Sequence, residues 1–242
     1  MEVKYRGPHG EERLYLPREA FPSSARDAHR KREQVGRLLE LLCTWVRPGD
    51  VIVDAGCGRG ALTAAMALSC PSCEVLGFDV REFKSWPVLE EYLESVGVSN
   101  LRFETWDLHE VVSGRVGISV KRADVVVGLH LCGTLTDRML ELARELGARV
   151  ALVVPCCYGR ASPRVIIDEL GVRPGVKEES EYEWLKRELK RAEDSVRHQL
   201  TVCRIRGKFL EKEGFKVKVG VAFPREVSGR RVFIAGLRAG AG

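Results

Sequence analysis

The stretch "VIVDAGCGRGAL", Val51 to Leu62, carries a hydrophobic run into Asp54 and then places Gly56, Gly58 and Gly60 in alternation, with Cys57 between the first two. Glycines spaced this way let a backbone turn sharply at the end of a strand and come close to a ligand. A dinucleotide turn would read Gly-x-Gly-x-x-Gly, whereas here every second residue is glycine and the acid stands two residues before the first. That pattern suits the methionine part of S-adenosylmethionine, with the Asp54 carboxylate placed to order the loop and meet the ligand's ammonium group. Downstream, "CEVLGFDV" ends near Asp79, where an acid can accept from both ribose hydroxyls. "LRFETWD" ends at Asp107, placed to accept from the adenine amino group, with Trp106 or Phe78 as a stacking face. Asp79 or Asp107 alone is equally well read as an ordinary loop or N-cap acid. Three acids and three glycines at successive strand ends form a set, and the expected cofactor is S-adenosylmethionine rather than NAD.

A second group follows in "GLHLCGTLTD" and "VVPCCYG". In a doubly wound sheet the two strands carrying these runs are neighbours, and their carboxyl ends border the ligand crevice. His130, Cys132, Cys156, Cys157 and Tyr158 are therefore expected to converge. His130 reads either as a hydrogen-bonded pocket residue or as a base that takes a proton from the methyl acceptor. Cys156 and Cys157 read as small buried hydrophobes or as thiolate nucleophiles for a pyrimidine ring. With His130 and Cys132 they are also a conceivable zinc set, but nothing in the spacing fixes its geometry, and no metal is expected. Cys70 and Cys73 in "CPSC" make half a zinc site, and are expected as structural thiols or a disulfide.

The elements that must hold these residues alternate between strand and helix, the sign of a parallel sheet with helices on both faces. Apolar positions Val35, Leu38, Leu39, Leu41 and Leu42 predict a helix from about Asp27 to Val46, stopped by "RPGD". Strands at "VIVDAG", "CEVLGFDV", "LRFETWD", "ADVVVGLHLCG" and "RVALVVPCCYG" are separated by helices at Ala61–Ser69, about Val88–Ser95 and "TLTDRMLELAREL". The charged segment from Glu181 reads as a long helix with an apolar stripe at Tyr182, Leu185 and Leu189. "FKVKVGVAF" and "RRVFIAGLR" read as a closing hairpin. The predicted fold is a doubly wound, mostly parallel seven-stranded α/β sheet with a C-terminal antiparallel hairpin. Its expected organisation is an N-terminal extension at 1–34, then one domain at 35–242 with a helical insertion at about 160–213.

Together with the glycine run and the upstream "SSARDAHRKREQV", the "HLCGTLTD" and "PCCYG" segments resemble the methyltransferase family that contains the eukaryotic tRNA acceptor-stem 2′-O-methyltransferases and their methyltransferase-like relatives. The likeness covers roughly Asp27 to Gly159. The zinc-finger modules that precede the domain in those tRNA enzymes are not in this sequence, and the histidines that follow their paired cysteines are replaced by "YG". The resemblance implies transfer of a methyl group to a tRNA ribose hydroxyl. Pyrimidine C5 methylation through a cysteine, a protein or small-molecule acceptor, and a non-catalytic cofactor-binding module are the competing readings.

Composition is compatible with these expectations. A formal charge of +5 permits a polyanionic partner without demanding one. Lys31, in the basic segment Arg26–Arg32, and Lys186, Arg187 and Lys190 are the expected phosphate contacts, with Tyr158 nearer the acceptor; a solvated basic face is the plainer reading of the last three lysine and arginine positions. Asparagine occurs once, at Asn100, while 30% of residues are charged, a balance that suits a hot-environment organism. No run of about 18 apolar residues is present, so no membrane partner is expected, and a cytoplasmic location follows from the lack of an apolar signal core.

Overall fold

The computed structural model describes residues 1–175 and 180–238. Four residues of the expected insertion, 176–179, and the last four of the expected domain, 239–242, lie outside the described residues. The chain divides into two compact units, Met1–Val125 and Val126 onward.

The first unit opens with a hairpin that the strand reading did not include. β1 (Glu2–Gly7) and β2 (Gly10–Tyr15) pair antiparallel, from Glu2 opposite Tyr15 to Gly7 opposite Gly10. Helix α1 (Ala25–Leu42) follows, capped by the Ser24 hydroxyl, which accepts from the Asp27 amide at 3.2 Å. It buries Ala28, Val35, Leu38, Leu39 and Leu42 on one face, as the helical spacing requires. Gly36 lies on the hairpin side, and a Cβ there would stand 2.1 Å from the Lys4 carbonyl oxygen. A larger residue at position 36 would push β1 off the helix.

β3 (Val51–Ala55), β4 (Glu74–Asp79) and β5 (Leu101–Thr105) run parallel, with Asp54 beside Gly77 and Asp79 beside Thr105. Between them lie α2 (Ala61–Ser69), which buries every residue from Ala61 to Ala67, and α3 (Ser85–Ser95). β5 ends two residues earlier than expected, because Asp107 leaves the strand to cap a short helix, α4 (Leu108–Val112). Asn100, the sole asparagine, donates its amide group to the carbonyls of Ala67, Cys70 and Cys73 at 3.3, 3.0 and 2.9 Å. Cys70 and Cys73 are joined as a disulfide.

The second unit contains β6 (Val125–Leu131), which begins at the boundary, α5 (Leu135–Glu145), β7 (Val150–Pro155), α6 (Glu181–Ala192), α7 (Val196–Lys212), β8 (Lys216–Val221) and β9 (Val232–Leu237). The charged segment read as one helix is two, broken around Glu193–Ser195. Its apolar face consists of Leu185, Leu189 and Ala192, while Tyr182 is exposed and places its hydroxyl on Asp168. β9 pairs antiparallel with both β7 and β8. Among the described residues, seven of the nine strands are ordered β5-β4-β3-β6-β7-β9-β8, the mostly parallel sheet with a closing hairpin that the sequence predicts. Among these same residues no helix is long and apolar enough to cross a membrane.

Candidate active site

In the first unit the glycine loop is held from several sides. Gly56, Gly58 and Gly60 have φ of 68°, 56° and 80°, the left-handed region in which a side chain is strained. The Gly56 and Cys57 amides both donate to the Phe78 carbonyl, at 2.9 and 3.0 Å. The Gly58 amide donates to Asp79 Oδ2 at 2.9 Å. The opposite side of the loop is fixed by two residues that the sequence reading did not select: Trp86 Nε1 donates to the Gly58 carbonyl at 2.8 Å, and the Ser85 hydroxyl to the Arg59 carbonyl at 2.9 Å. Trp86 stacks on Phe103 with 5.0 Å between ring centroids. A Cβ at Gly60 would come within 2.6 Å of Phe103, whereas one at Gly58 would meet nothing within 4 Å. The loop therefore packs tightly at Gly60 and offers bare, open backbone at Gly58, the form a close-lying ligand needs.

Asp54 is buried under this loop and accepts from the Thr63 hydroxyl at 2.7 Å. Burial pushes its carboxyl up to about 7, against the lowering effects of the Thr63 hydrogen bond and the Lys31 charge. Lys31 reaches Asp54 from α1, and burial in turn pulls its ammonium group down. This position corrects the expectation that Lys31 contacts substrate phosphate: an ammonium group buried near the Asp54 charge is not displayed for RNA. Cys57 is buried, and burial raises its thiol well above the usual range.

The raised Asp54 pKa has a defined pH consequence. Between the ordinary carboxylate value near ~4 and about 7, the folded state holds a proton that the unfolded chain has lost. The contribution to stability is complete below the lower value and is lost as pH rises through the upper one. Asp54→Asn should therefore flatten a decline in stability between about pH 4 and 7, read from urea midpoints across that range. A decline of the same slope in the variant would place its origin elsewhere.

Asp79 is half-buried at the end of β4, with one oxygen committed to the loop. Asp107 Oδ1 accepts from the His109 amide at 2.8 Å, so it is an N-cap acid whatever else it binds. Trp106 is half-buried and donates its indole N–H to Glu104 at 2.9 Å. Phe78, the alternative stacking face, is fully buried in the core and offers no ring to a ligand. A cavity of about 310 Å³ in the same unit, lined by Tyr5, His9, Leu39, Cys43 and Met66 among others, shares no residue with the glycine loop.

In the second unit His130, Cys132, Cys156 and Cys157 do come together. His130 is the one described non-glycine residue with positive φ, at 67°. Its carbonyl oxygen lies 3.1 Å from Cys156 Sγ and 3.8 Å from Cys132 Sγ, and its ring lies 6.2 Å from that of Phe223. Cys132 and Cys156 are joined as a disulfide. Cys156 in this form has no thiolate, which corrects its assignment as a nucleophile; Cys157 remains a free thiol, 3.2 Å from Cys132 Sγ and 3.6 Å from Cys156 Sγ. Tyr158 is also corrected as a substrate contact, since it is fully buried with its hydroxyl against Cys203 at 3.6 Å. Burial raises its phenol far above the usual range.

The segment bearing these cysteines is fastened by polar contacts. Arg230 donates from Nε to the Cys156 carbonyl at 3.0 Å and pairs with Glu193, whose carboxylate also accepts from the Gly159 amide. Behind it, Arg206 and Asp137 form a fully buried ion pair, 2.7 Å between Nε and Oδ1, and Arg206 also donates to the Gly133 carbonyl at 3.1 Å. Lys186, Arg187 and Lys190 all lie on the exposed side of α6.

A strand order that closes with an antiparallel hairpin, joined to a left-handed glycine loop after β3 and acids at the ends of β3 and β4 and just after β5, defines a doubly wound domain of the methyltransferase class. The family model described as "Methyltransferase domain" matches residues 30–163, more than half of the chain, and the chain belongs to that family. A glutathione S-transferase C-terminal domain-containing protein homolog of Drosophila melanogaster is 34% identical over 137 residues, which is 55% of this chain and 21% of the relative. The human protein of that description is 32% identical over 143 residues, 59% of this chain and 21% of its own length. The chain thus spans about a fifth of the length of these relatives. The precorrin-6y C5,15-methyltransferase from Geobacter metallireducens has the same fold, with a TM-score of 0.51, 10% identity, and 93% of this chain and 98% of that one covered.

Proposed function

We propose that this methyltransferase domain uses S-adenosylmethionine and methylates RNA, with a tRNA ribose 2′-hydroxyl as acceptor. The observation that carries the cofactor is the glycine loop: three left-handed glycines, open backbone at Gly58, and Asp79 bonded to that same residue. Bound there, the cofactor would supply an electrophilic methyl group on a sulfonium. Asp54 would meet the cofactor's ammonium group, and a cation beside it would favour its ionised form. The Asp79 oxygen not used by the loop would accept from ribose hydroxyls. Asp107 would use its second oxygen for the adenine amino group, with Trp106 as the stacking face, and Gly56, Cys57 and Gly60 would shape the loop.

The acceptor is argued from chemistry and from the resemblance carried by the "HLCGTLTD" and "PCCYG" runs. A ribose hydroxyl is a weak nucleophile at neutral pH and needs in-line alignment together with a group to take its proton. His130 is the residue proposed for that proton. Lys186, Arg187 and Lys190 on the exposed side of α6 are proposed to meet phosphate.

The experiment is incubation with labelled S-adenosylmethionine and, separately, total tRNA and total protein, followed by mass spectrometry of digested nucleosides. Label in a 2′-O-methylated nucleoside is the expected result; label in protein alone, or in a pyrimidine C5 position, overturns the acceptor assignment. Calorimetry tests the cofactor independently. Asp79→Ala should weaken adenosylhomocysteine binding by about 10- to 100-fold, as loss of a hydrogen bond to a charged group implies. Binding of NAD without adenosylhomocysteine would end the reading.

A further inference from the structure

The three sulfurs of Cys132, Cys156 and Cys157 lie within 4.8 Å of one another. A disulfide uses two of them and leaves Cys157 as a thiol 3.2 Å from Cys132 Sγ. The backbone gathers these residues through contacts other than the sulfur–sulfur bond. The Gly133 amide donates to the Cys157 carbonyl at 3.2 Å, and the Cys156 amide to the Leu131 carbonyl at 3.3 Å. His130, held at positive φ, directs its carbonyl to the same spot, 3.1 Å from Cys156 Sγ. A non-glycine residue in this region is strained and persists where its surroundings impose it. The thiols thus remain close neighbours when the disulfide is reduced.

We propose that the reduced protein binds one zinc-class divalent ion through the thiolates of Cys132, Cys156 and Cys157, with the fourth tetrahedral position open. Zinc–sulfur bonds of about 2.3 Å place tetrahedral sulfurs ~3.8 Å apart. The Cys156 to Cys157 separation of 3.6 Å already approaches that spacing. Cys132 must move about 0.6 Å from Cys157, now 3.2 Å away, and the Cys132 and Cys156 sulfurs must part by more than ~1 Å once their bond is reduced, which side-chain rotation can supply. The three cysteines are half-buried, which leaves the open position reachable. Three thiolates around a divalent cation carry a net charge of −1, and the Arg230 guanidinium, bonded to the Cys156 carbonyl at 3.0 Å, supplies a nearby positive charge. This assignment replaces the expectation of no metal that cysteine spacing alone produced.

The chemistry balances in two steps. A dithiol reductant transfers two electrons and two protons to the Cys132–Cys156 bond, giving two thiols while it becomes a disulfide itself. Binding one divalent ion then releases three thiol protons, one each from Cys132, Cys156 and Cys157. Metal and disulfide are therefore mutually exclusive, and the site exists in the reduced protein alone. The inference is independent of the proposed methyl acceptor and of the cofactor.

Cobalt serves as the spectroscopic probe. The full chain, reduced with a phosphine and stripped of metal, should take up one Co²⁺ per molecule with strong sulfur-to-metal charge transfer, and one equivalent of Zn²⁺ should displace it. Cys157→Ser should weaken Zn²⁺ binding by at least about tenfold, and Cys132→Ser and Cys156→Ser likewise, while the Cys70→Ser/Cys73→Ser double variant should bind as the parent does. Protein with the Cys132–Cys156 bond formed should take up none. X-ray absorption on the zinc-loaded parent chain keeps the test independent of how the variants fold: three sulfurs at about 2.3 Å support the site. No Co²⁺ uptake by reduced protein, two or fewer sulfur ligands, or binding that depends on Cys70 and Cys73 overturns it.

Discussion

Replacing Arg206 by methionine should lower the unfolding free energy by about 3–5 kcal/mol, because it leaves a buried carboxylate without its cation. Arg206 and Asp137 have side-chain exposures of 1% and 0%, so water cannot take the place of the lost guanidinium. Asp137 sits in the first turn of α5, where the helix N-terminus favours negative charge but supplies only part of what the guanidinium provides. The same substitution frees the Gly133 carbonyl, which accepts from Arg206 beside the cysteine cluster. Urea denaturation of Arg206→Met, and of Arg206→Met combined with Asp137→Leu, measures the effect. The double variant should regain most of the loss, since an apolar pair of similar volume removes both charges. A single-variant loss under about 1 kcal/mol would show that Asp137 finds another partner or becomes neutral at little cost.

Changing His130 should lower methyl transfer by about 10²- to 10⁴-fold if its ring takes the acceptor's proton. Asparagine is the substitution to use. It tolerates left-handed backbone better than most residues, so the 67° φ is accommodated while the titrating ring is removed. The readouts are the maximal rate on one tRNA and its pH profile: His130→Asn should lose the acidic limb of the parent profile while its unfolding free energy, from the urea midpoint, stays within about 0.5 kcal/mol of the parent's. A merely structural His130 would move the midpoint and leave the limb in place. Retained turnover with an unchanged profile would remove the proposed base and leave the ribose acceptor to be judged by its own product analysis.

The legible parts of this molecule were those in which one residue type has one physical use. Glycines at 56, 58 and 60 announced left-handed backbone, and all three adopt it. The strand ends at Asp54 and Asp79 were readable because acids interrupt apolar runs there. Phe78 was misplaced for a reason inherent in parallel sheets: strands buried on both faces are apolar throughout, so alternation does not tell a core residue from one facing a ligand. Trp86 and Ser85 were missed because their hydrogen bonds to the loop span more than 25 positions of sequence, and nothing local marks them. The β1–β2 hairpin did leave a signal, with Val3 and Tyr5 buried between exposed Lys4 and Arg6 and a Pro-His turn before Gly10. Lys31 read as one of several basic residues, and only the fold singles it out as the one beside Asp54.

The clamp on the glycine loop also orders events during synthesis. The Gly58 carbonyl waits for Trp86, and the ring on which Trp86 stacks, Phe103, emerges from the ribosome 45 residues after Gly58. Until then the loop has its glycines but not the fastening that sets their angles. A chain stalled or cut before Phe103 would carry the complete Asp54 to Gly60 motif in a form unable to grip a ligand, so cofactor affinity should arrive late in translation and abruptly.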